Sequence, residues 1–254
     1  PDRATRVRLY VKKVFISEQN IDLIPRNLRF LRGMVDSEDL PLNISRETLQ
    51  HNSVLHKINN SITKKVLSEL KNKASNEPEE FAKFWDNFGA IIKEGLCEGI
   101  DATRDQLMEV CHFRTTKSGD KAISLDSYIE NMQEGQDKIY YLAGDNLDAI
   151  RNSPQVEGFI KKNIEVILLT DSVDDFWTTV NHEYKGKELV SINRSGLDID
   201  NIKDKEKPKE DTAKDDKSSE AAINAFKEIL GNKILNVVAS KKLSDSPVCL
   251  SVQE

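Results

Sequence analysis

Several common features are scarce in this sequence of 254 residues. The longest aliphatic run, Val166 to Leu169, is far shorter than the ~20 apolar residues of a membrane-spanning helix, and the mean hydropathy is -0.54. The three cysteines, Cys97, Cys111 and Cys249, are too few and too widely spaced for a disulfide framework or a zinc site. We therefore exclude a membrane protein and a disulfide-stabilised domain, and we expect packing cysteines, no metal and a cytoplasmic location.

The charge balance excludes another class of protein. The sequence has 37 Lys and Arg against 43 Asp and Glu, a net charge of -6, which is the wrong sign for holding nucleic acid through its phosphates. Residues 1–35 are a local exception, because basic residues outnumber acidic ones there. The chain opens with Pro1 and has no signal-like apolar stretch, so we expect it to be a piece of a longer protein.

Motifs of self-contained catalytic sites are also absent. The sequence has no G-x-x-x-x-G-K-[ST] phosphate loop and no G-x-G-x-x-G, and no Ser or Cys has the context of a nucleophile elbow. His51 and His56 are five residues apart, which separates them on a helix and argues against a metal pair. A free-standing hydrolase is therefore not supported.

Apolar periodicity predicts a mixed α/β (α+β) chain. Its first part combines a strand over 6–16, bulged near Lys12 and Lys13, with a helix that Pro25 opens and that runs to about residue 35. Two long amphipathic helices follow, one restarting near Asn52 or Ser53 and one opened by Pro78. The resulting division is 1–75, 76–110, 111–197, 198–220 and 221–254.

The later segments have distinct patterns. Strand and helix alternate over 111–197 and predict a small αβα sandwich with a mostly parallel sheet, including a helix begun by Ser124 and strands over 138–143, 165–170 and 188–192. Residues 198–220 are charged and lack aromatics, which is typical of a linker. A helix over 222–230 ending at Gly231 and a strand over 234–240 predict the start of another domain, cut short.

The segment PLNISRETLQ at 41–50 breaks a rule of helix electrostatics. Ser45 is a natural N-cap, so Arg46 enters the first helical turn and opposes the macrodipole at a cost of roughly 0.3–1 kcal/mol. A helix N-terminus with a guanidinium can bind an anion, and Gln50 lies on the same helical face, where it could orient a phosphate or a water. In the alternative, Arg46 pairs with nearby acids (Asp36, Glu38 or Asp39) and only holds the loop.

Trp177 is the second unusual residue. Phe176 and Val180 share one helical face and should pack on the sheet, and Trp177 lies about 100° further round the helix. It can therefore project outward, where an exposed Trp suits contact with apolar partners. The alternative, with Trp177 in the core and Phe176 at the boundary, is equally compatible with the pattern, whereas Trp85 belongs to a regular apolar stripe and is expected in the core.

Four segments carry a family resemblance: RVRLYVKKVFI, DLIPRNLRFLRGMVDSEDLPLNISRETLQ, YYLAG and FKEILGNKILNVVASKKLSDSP. They closely resemble the heat-shock protein 90 chaperones, and the bacterial members of that family most. The resemblance covers nearly the whole chain, and VDSEDLPLNISRETLQ is its most specific part. The chain is similar to most of the middle domain, without its first part, followed by the start of the C-terminal dimerisation domain.

The resemblance implies a function. The family binds ATP with magnesium in a separate N-terminal domain, and the family's catalytic-loop arginine and glutamine match Arg46 and Gln50. Arg46 would neutralise the γ-phosphate, and Gln50 would order the attacking water or the phosphate. The family also implies unfolded client proteins as partners, a homodimer formed through the complete C-terminal domain, and no ATP hydrolysis by this chain alone.

Two further roles follow from the resemblance. Phe15, in the segment Val14 to Ile16, aligns with a site where an exposed aromatic can dock the nucleotide-binding domain, with sheet core as the alternative. Trp177 falls on a helix that contacts clients in bacterial members. The 1–75, 76–110 and 111–197 segments would then be the second part of the large αβα unit, a helical connector and the small αβα unit. The competing hypothesis is a passive protein-binding scaffold without a catalytic role.

Overall fold

The computed structural model begins with a small sheet of three strands. It describes residues 6–18, 23–41, 52–98, 101–194, 197, 199, 201–202, 216–240, 243 and 245–251. The strands are β1 (Arg6–Val11), β2 (Val14–Ser17) and β3 (Arg32–Ser37), in the order β2-β1-β3, with β1 antiparallel to β2 and parallel to β3. Alternate residues of β1 (Val7, Leu9 and Val11) are buried, as the sequence predicts.

The predicted single strand over 6–16 is instead a hairpin. Lys12 and Lys13 form a two-residue turn with φ of 50° and 68°. Positive φ at both positions is what a tight turn matching the twist of the strands requires. The strand register shifts between Leu9 and Tyr10, so the irregularity is not at the lysines.

The predicted helix over 23–35 is also wrong in its second half. Pro25 does precede a short 3-10 helix, Arg26–Leu28, but the chain then enters β3. Parallel pairing with β3 satisfies the backbone groups along one edge of β1, which a helix over these residues would leave unpaired. As a consequence Met34, expected on an apolar helix face, is 68% exposed.

Three helices follow, and the last two lie within the segment 76–110 that the sequence predicts to be a helical connector. They are α1 (Ser53–Asn76), α2 (Pro78–Lys93) and α3 (Asp101–Val110), with a 3-10 turn at Glu94–Leu96. Pro78 occupies the start of α2 as predicted, where its missing N–H costs nothing. Trp85 is buried, as predicted, in one core with Phe81, Ile92 and Leu96.

The second sheet has six strands and lies between helices. The strands are β4 (His112–Thr115), β5 (Ile123–Ser124), β6 (Lys138–Ala143), β7 (Ile167–Leu169), β8 (Glu183–Tyr184) and β9 (Lys187–Ser191), in the order β5-β4-β7-β6-β9-β8. The helices are α4 (Leu125–Glu130), α5 (Leu147–Arg151), α6 (Glu157–Lys161) and α7 (Asp174–Val180).

This unit is an αβα sandwich, as predicted. Ile139 on β6 faces the core that contains α3, α4 and α7, and the next residue, Tyr140, faces the core that contains α5 and α6. The Ser124 hydroxyl accepts a hydrogen bond from the Ser127 N–H and begins α4 as expected. The prediction of a mostly parallel sheet is wrong: only the central pairs β7-β6 and β6-β9 are parallel, and the three outer pairs are antiparallel.

The sandwich extends beyond residue 197, into the predicted linker. Ile199 and Ile202 are buried in the core that contains α5 and α6. The charged composition of the segment does not prevent its two isoleucines from packing there. Further on, α8 (Asp216–Leu230) ends before Gly231, whose φ of 48° suits a helix terminus. The predicted strand over 234–240 does not form. No helix of the described residues is long and apolar enough to cross a membrane.

Candidate functional site

The segment that carries Arg46 and Gln50 joins β3 to α1. Both residues lie outside the described residues, as does Ser45, so their predicted roles stay predictions. The two ends of the segment are well defined: Leu40, three residues after β3, is 1% exposed, and Leu55, in the first turn of α1, is 4% exposed. Both belong to the core beneath the first sheet. Leu40 and Leu55, which flank residues 42–51 in the sequence, therefore pack in the same core.

Asn52 begins α1. Its side-chain Oδ1 accepts hydrogen bonds from the N–H groups of Val54 at 2.8 Å and Leu55 at 3.4 Å. The sequence predicts a helix that restarts near Asn52 or Ser53, and the structure makes Asn52 the N-cap, which satisfies two helix donors that have no partner within the helix. The cap positions the start of α1 two residues after Gln50.

One of the acids proposed as a partner of Arg46 already has a partner. Asp36 accepts a hydrogen bond from the backbone N–H of Lys13 at 3.1 Å on Oδ1 and an ion pair from its Nζ at 2.6 Å on Oδ2. The hydrogen bond from the Lys13 ammonium lowers the pKa of Asp36. Glu38 and Asp39 are exposed and form no ion pair with another residue in the described ranges.

Phe15 lies on the edge strand of the first sheet. Its side chain is 53% exposed and that of Val14 is 50% exposed. The Phe15 ring meets the Tyr10 ring edge-on, with centroids 5.6 Å apart. The alternative of Phe15 as sheet core is therefore wrong, and its accessible ring is compatible with the predicted docking role.

Trp177 does not project outward. It is 1% exposed, its indole N–H donates to Asp174 Oδ1 at 2.6 Å, and its ring centroid is 5.7 Å from that of Phe113. Phe176 and Val180, expected to pack on the sheet, are instead 67% and 50% exposed. A direct client contact by Trp177 is therefore not supported, and the accessible apolar residues of α7 are Phe176 and Val180.

The buried face of α7 explains this error. It consists of Asp174 and Trp177 together with Asn181, the residue directly after the helix; they are spaced by three and four residues, and two of the three are polar. Asn181 Nδ2 donates to the carbonyl oxygens of Leu96 at 3.0 Å and Trp177 at 2.7 Å, so the buried amide nitrogen is satisfied. A hydrophobicity pattern favours Phe176 and Val180 as the inner face, and only the spacing of the polar residues around Trp177 could have indicated otherwise.

No group of three or more His, Cys, Asp or Glu side chains among the described residues could hold a metal ion.

Comparison with known proteins identifies the class. The Hsp90 protein family model matches residues 2–254. The structure superposes on the middle domain of a heat shock protein of Plasmodium falciparum with a TM-score of 0.64 at 36% identity, covering 74% of each chain. The chain belongs to the Hsp90 family, and its fold is that of the Hsp90 middle domain.

Within the family, bacterial chaperones are highly similar. Chaperone protein HtpG of Rickettsia canadensis is 55% identical over 255 residues, and that of Rickettsia bellii is 56% identical over 256 residues. Each match covers the whole chain and 41% of the relative. The chain thus spans about two fifths of the length of these curated relatives.

Proposed function

We propose that this chain is the part of an ATP-dependent chaperone that completes the ATPase site of a separate N-terminal domain and offers a surface to client proteins. Arg46 neutralises charge on the γ-phosphate, and Gln50 orders the attacking water or the phosphate. ATP, with its magnesium, is held mainly by the N-terminal domain. The chain alone therefore does not hydrolyse ATP.

The catalytic part of the proposal is supported by the anchored residues on both sides of the segment 42–51. Buried Leu40 precedes the ten residues 42–51 and the Asn52 cap follows them, so the chain is anchored on both sides of the segment that carries Arg46 and Gln50. Preorganised charge contributes to catalysis because little reorganisation is needed at the moment of reaction. Asp36 supports this assignment, because Lys13 engages both of its carboxylate oxygens.

ATP turnover by the full-length protein tests the catalytic part. Arg46→Ala should lower kcat by roughly 100- to 1,000-fold, about 3–4 kcal/mol of transition-state stabilisation, with a smaller change in KM. Lys65→Ala is the matched control, since it removes an exposed cation from α1 that pairs with Glu69. Equal rates for Arg46→Ala and Lys65→Ala would refute the catalytic assignment.

We assign client contact on α7 to Phe176 and Val180 in place of the buried Trp177. Phe176 and Val180 are one helical turn apart and form an accessible apolar surface on α7, which we call the α7 surface. Adjacent exposed apolar side chains of this kind mark contact sites for partners. Phe15 and Val14 are also accessible apolar neighbours, and we assign them to docking of the N-terminal domain.

Binding of an unfolded client separates this proposal from a passive scaffold. The client is reduced, carboxymethylated α-lactalbumin, and Phe176→Ala should raise its Kd by roughly 5- to 30-fold. Ile160→Ala is the control, because Ile160 is 54% exposed on α6, outside the α7 surface. If clients bind in an Arg46→Ala protein whose ATPase is unchanged, the scaffold hypothesis is correct.

Two properties of the whole protein complete the proposal. We assign homodimer formation to the complete C-terminal domain, of which α8 would be an early element. We also propose a cytoplasmic location, which is supported by free thiols at Cys97 and Cys111.

A further inference from the structure

A buried lysine joins the connector to the α/β sandwich. Lys93, the last residue of α2, has a side chain only 5% exposed. Its ammonium is 2.6 Å from Asp174 Oδ1 and 2.7 Å from Asp171 Oδ2, and it lies 5.6 Å from the centre of the Phe113 ring. A buried ammonium is tolerated only with such compensation, so this arrangement demands a defined geometry.

Asp174 is the other half of the arrangement. It is the first residue of α7, and its side chain is 1% exposed. Its Oδ1 also accepts the indole N–H of Trp177 at 2.6 Å, and its Oδ2 accepts the backbone N–H of Asp171 at 3.0 Å. The carboxylate thus ties one ammonium from the connector to the start of α7 and to the ring on its inner face.

These contacts determine which side of α7 faces out. Apolar packing has no directionality, and α7 carries large apolar side chains on two sides, Trp177 on one and Phe176 with Val180 on the other. Hydrophobicity alone would allow either side to be inward. Hydrogen bonds and charge pairs are directional, and those of Asp174 are satisfied only with Trp177 inward.

We propose that Lys93 and Asp174 are positioning residues that set the rotation of α7 about its axis and thereby present Phe176 and Val180 to clients. The proposal rests on the client-binding role assigned to the α7 surface. It goes further in giving the connector helix α2 a part in client binding, although Lys93 is too buried to contact a client itself.

The test measures whether Phe176 depends on Lys93. The Kd for reduced, carboxymethylated α-lactalbumin is measured on the full-length protein carrying Phe176→Ala, Lys93→Met or both. Lys93→Met keeps the length of the side chain and removes the charge. In the original background Phe176→Ala should weaken binding by roughly 5- to 30-fold, and in the Lys93→Met background by less than about 2-fold.

A spectroscopic signal reports on α7 independently of clients. The protein is labelled with 5-fluorotryptophan, and Trp177→Phe assigns the Trp177 resonance. Lys93→Met and Asp174→Asn should both shift or broaden that ¹⁹F resonance. Lys71→Met, which removes the more exposed pair with Glu109 on the connector, should leave it unchanged.

The outcomes separate the two levels of the proposal. If Phe176→Ala weakens binding equally in both backgrounds, the positioning role is refuted and the α7 surface stands. If Phe176→Ala has no effect on binding in either background, the α7 surface is refuted as a client site. The ¹⁹F measurement then decides the positioning role, which an unchanged Trp177 resonance in Lys93→Met would refute. Should Lys93→Met fail to fold, Asp171→Asn removes one of the two carboxylates, and a Phe176→Ala effect undiminished in that background likewise refutes positioning.

Discussion

Arg29 and Glu94 form a two-pronged ion pair between the first sheet unit and the connector. Arg29 Nη1 donates to Glu94 Oε2 at 2.6 Å, and Nη2 donates to Oε1 at 2.8 Å. Glu94 directly follows Lys93, whose ammonium contacts the α/β sandwich. Two consecutive residues at the end of α2 therefore bind the units on both sides of the connector.

This pair should contribute more to stability than an exposed one. The Arg29 side chain is 16% exposed and the contact is bidentate, so we expect Arg29→Ala or Glu94→Ala to lower the free energy of unfolding by about 1–3 kcal/mol. The double variant should lose little more than either single one. Denaturant unfolding measures these values. The exposed Lys65–Glu69 pair is the control, because its removal should lower the free energy of unfolding by only about 0.3–0.5 kcal/mol. Equal losses for the two pairs would contradict this prediction.

Adjacent aromatic residues on α7 should behave in opposite ways. Trp177→Ala removes a fully buried ring and should lower the free energy of unfolding by about 3–5 kcal/mol. Phe176→Ala changes an exposed side chain and should stay within about 0.5 kcal/mol of the original. Thermal or denaturant unfolding of both variants checks this. A large loss for Phe176→Ala with a small one for Trp177→Ala would mean that α7 is rotated relative to the structure.

The sequence predicts the regular elements well where one physical signal dominates. Asn52 and Pro78 begin helices as expected, because capping and proline geometry are local effects. Strand β3 is missed because its stabilisation comes from pairing with β1, far away in sequence. The antiparallel outer strands of the second sheet are missed for the same reason, since pairing direction is a property of the tertiary fold.

The candidate site likewise combines residues that the sequence indicates with an orientation that it does not. Arg46 and Gln50 are predicted from the unfavourable cation in the first turn of a helix and from the family resemblance, both of which can be recognised in the sequence. The orientation of Trp177 is not, because it depends on the ammonium of Lys93, 81 residues from Asp174 along the chain. A buried face with two polar residues looks like a solvent face until their partners are known.

Stability should fall with acid through His112. Its ring lies 4.7 Å from that of Phe81 and 5.9 Å from that of Trp85, and burial lowers its pKa below the ordinary value of 6.5. As the pH falls below 6.5, the unfolded chain binds a proton at this residue before the folded chain does. The free energy of unfolding therefore decreases from that pH downwards until the folded form is protonated too.

Removing the imidazole tests this dependence. His112→Phe should flatten the loss of stability between about pH 6.5 and the lower folded-state pKa, as measured by denaturant unfolding at a series of pH values. His182→Phe is the control, because His182 is exposed. The same pH dependence in His112→Phe as in the original protein would show that other groups cause it.

Cys111 should be inert towards thiol reagents in the folded protein. Its side chain is 0% exposed, and burial raises the pKa of its thiol to about 12. Since the thiolate is the nucleophile, iodoacetamide at about pH 8 should label Cys111 only after unfolding. Cys97 is half-buried, and burial followed by the charge of Glu94 raises its pKa as well, so it should react slowly but before Cys111. Mass spectrometry of peptides over time measures both rates, and equal labelling of the two cysteines under native conditions would contradict the burial of Cys111.

Above about pH 9 the thiol of Cys111 should lower the free energy of unfolding, because this thiol ionises there in the unfolded chain and not in the folded chain.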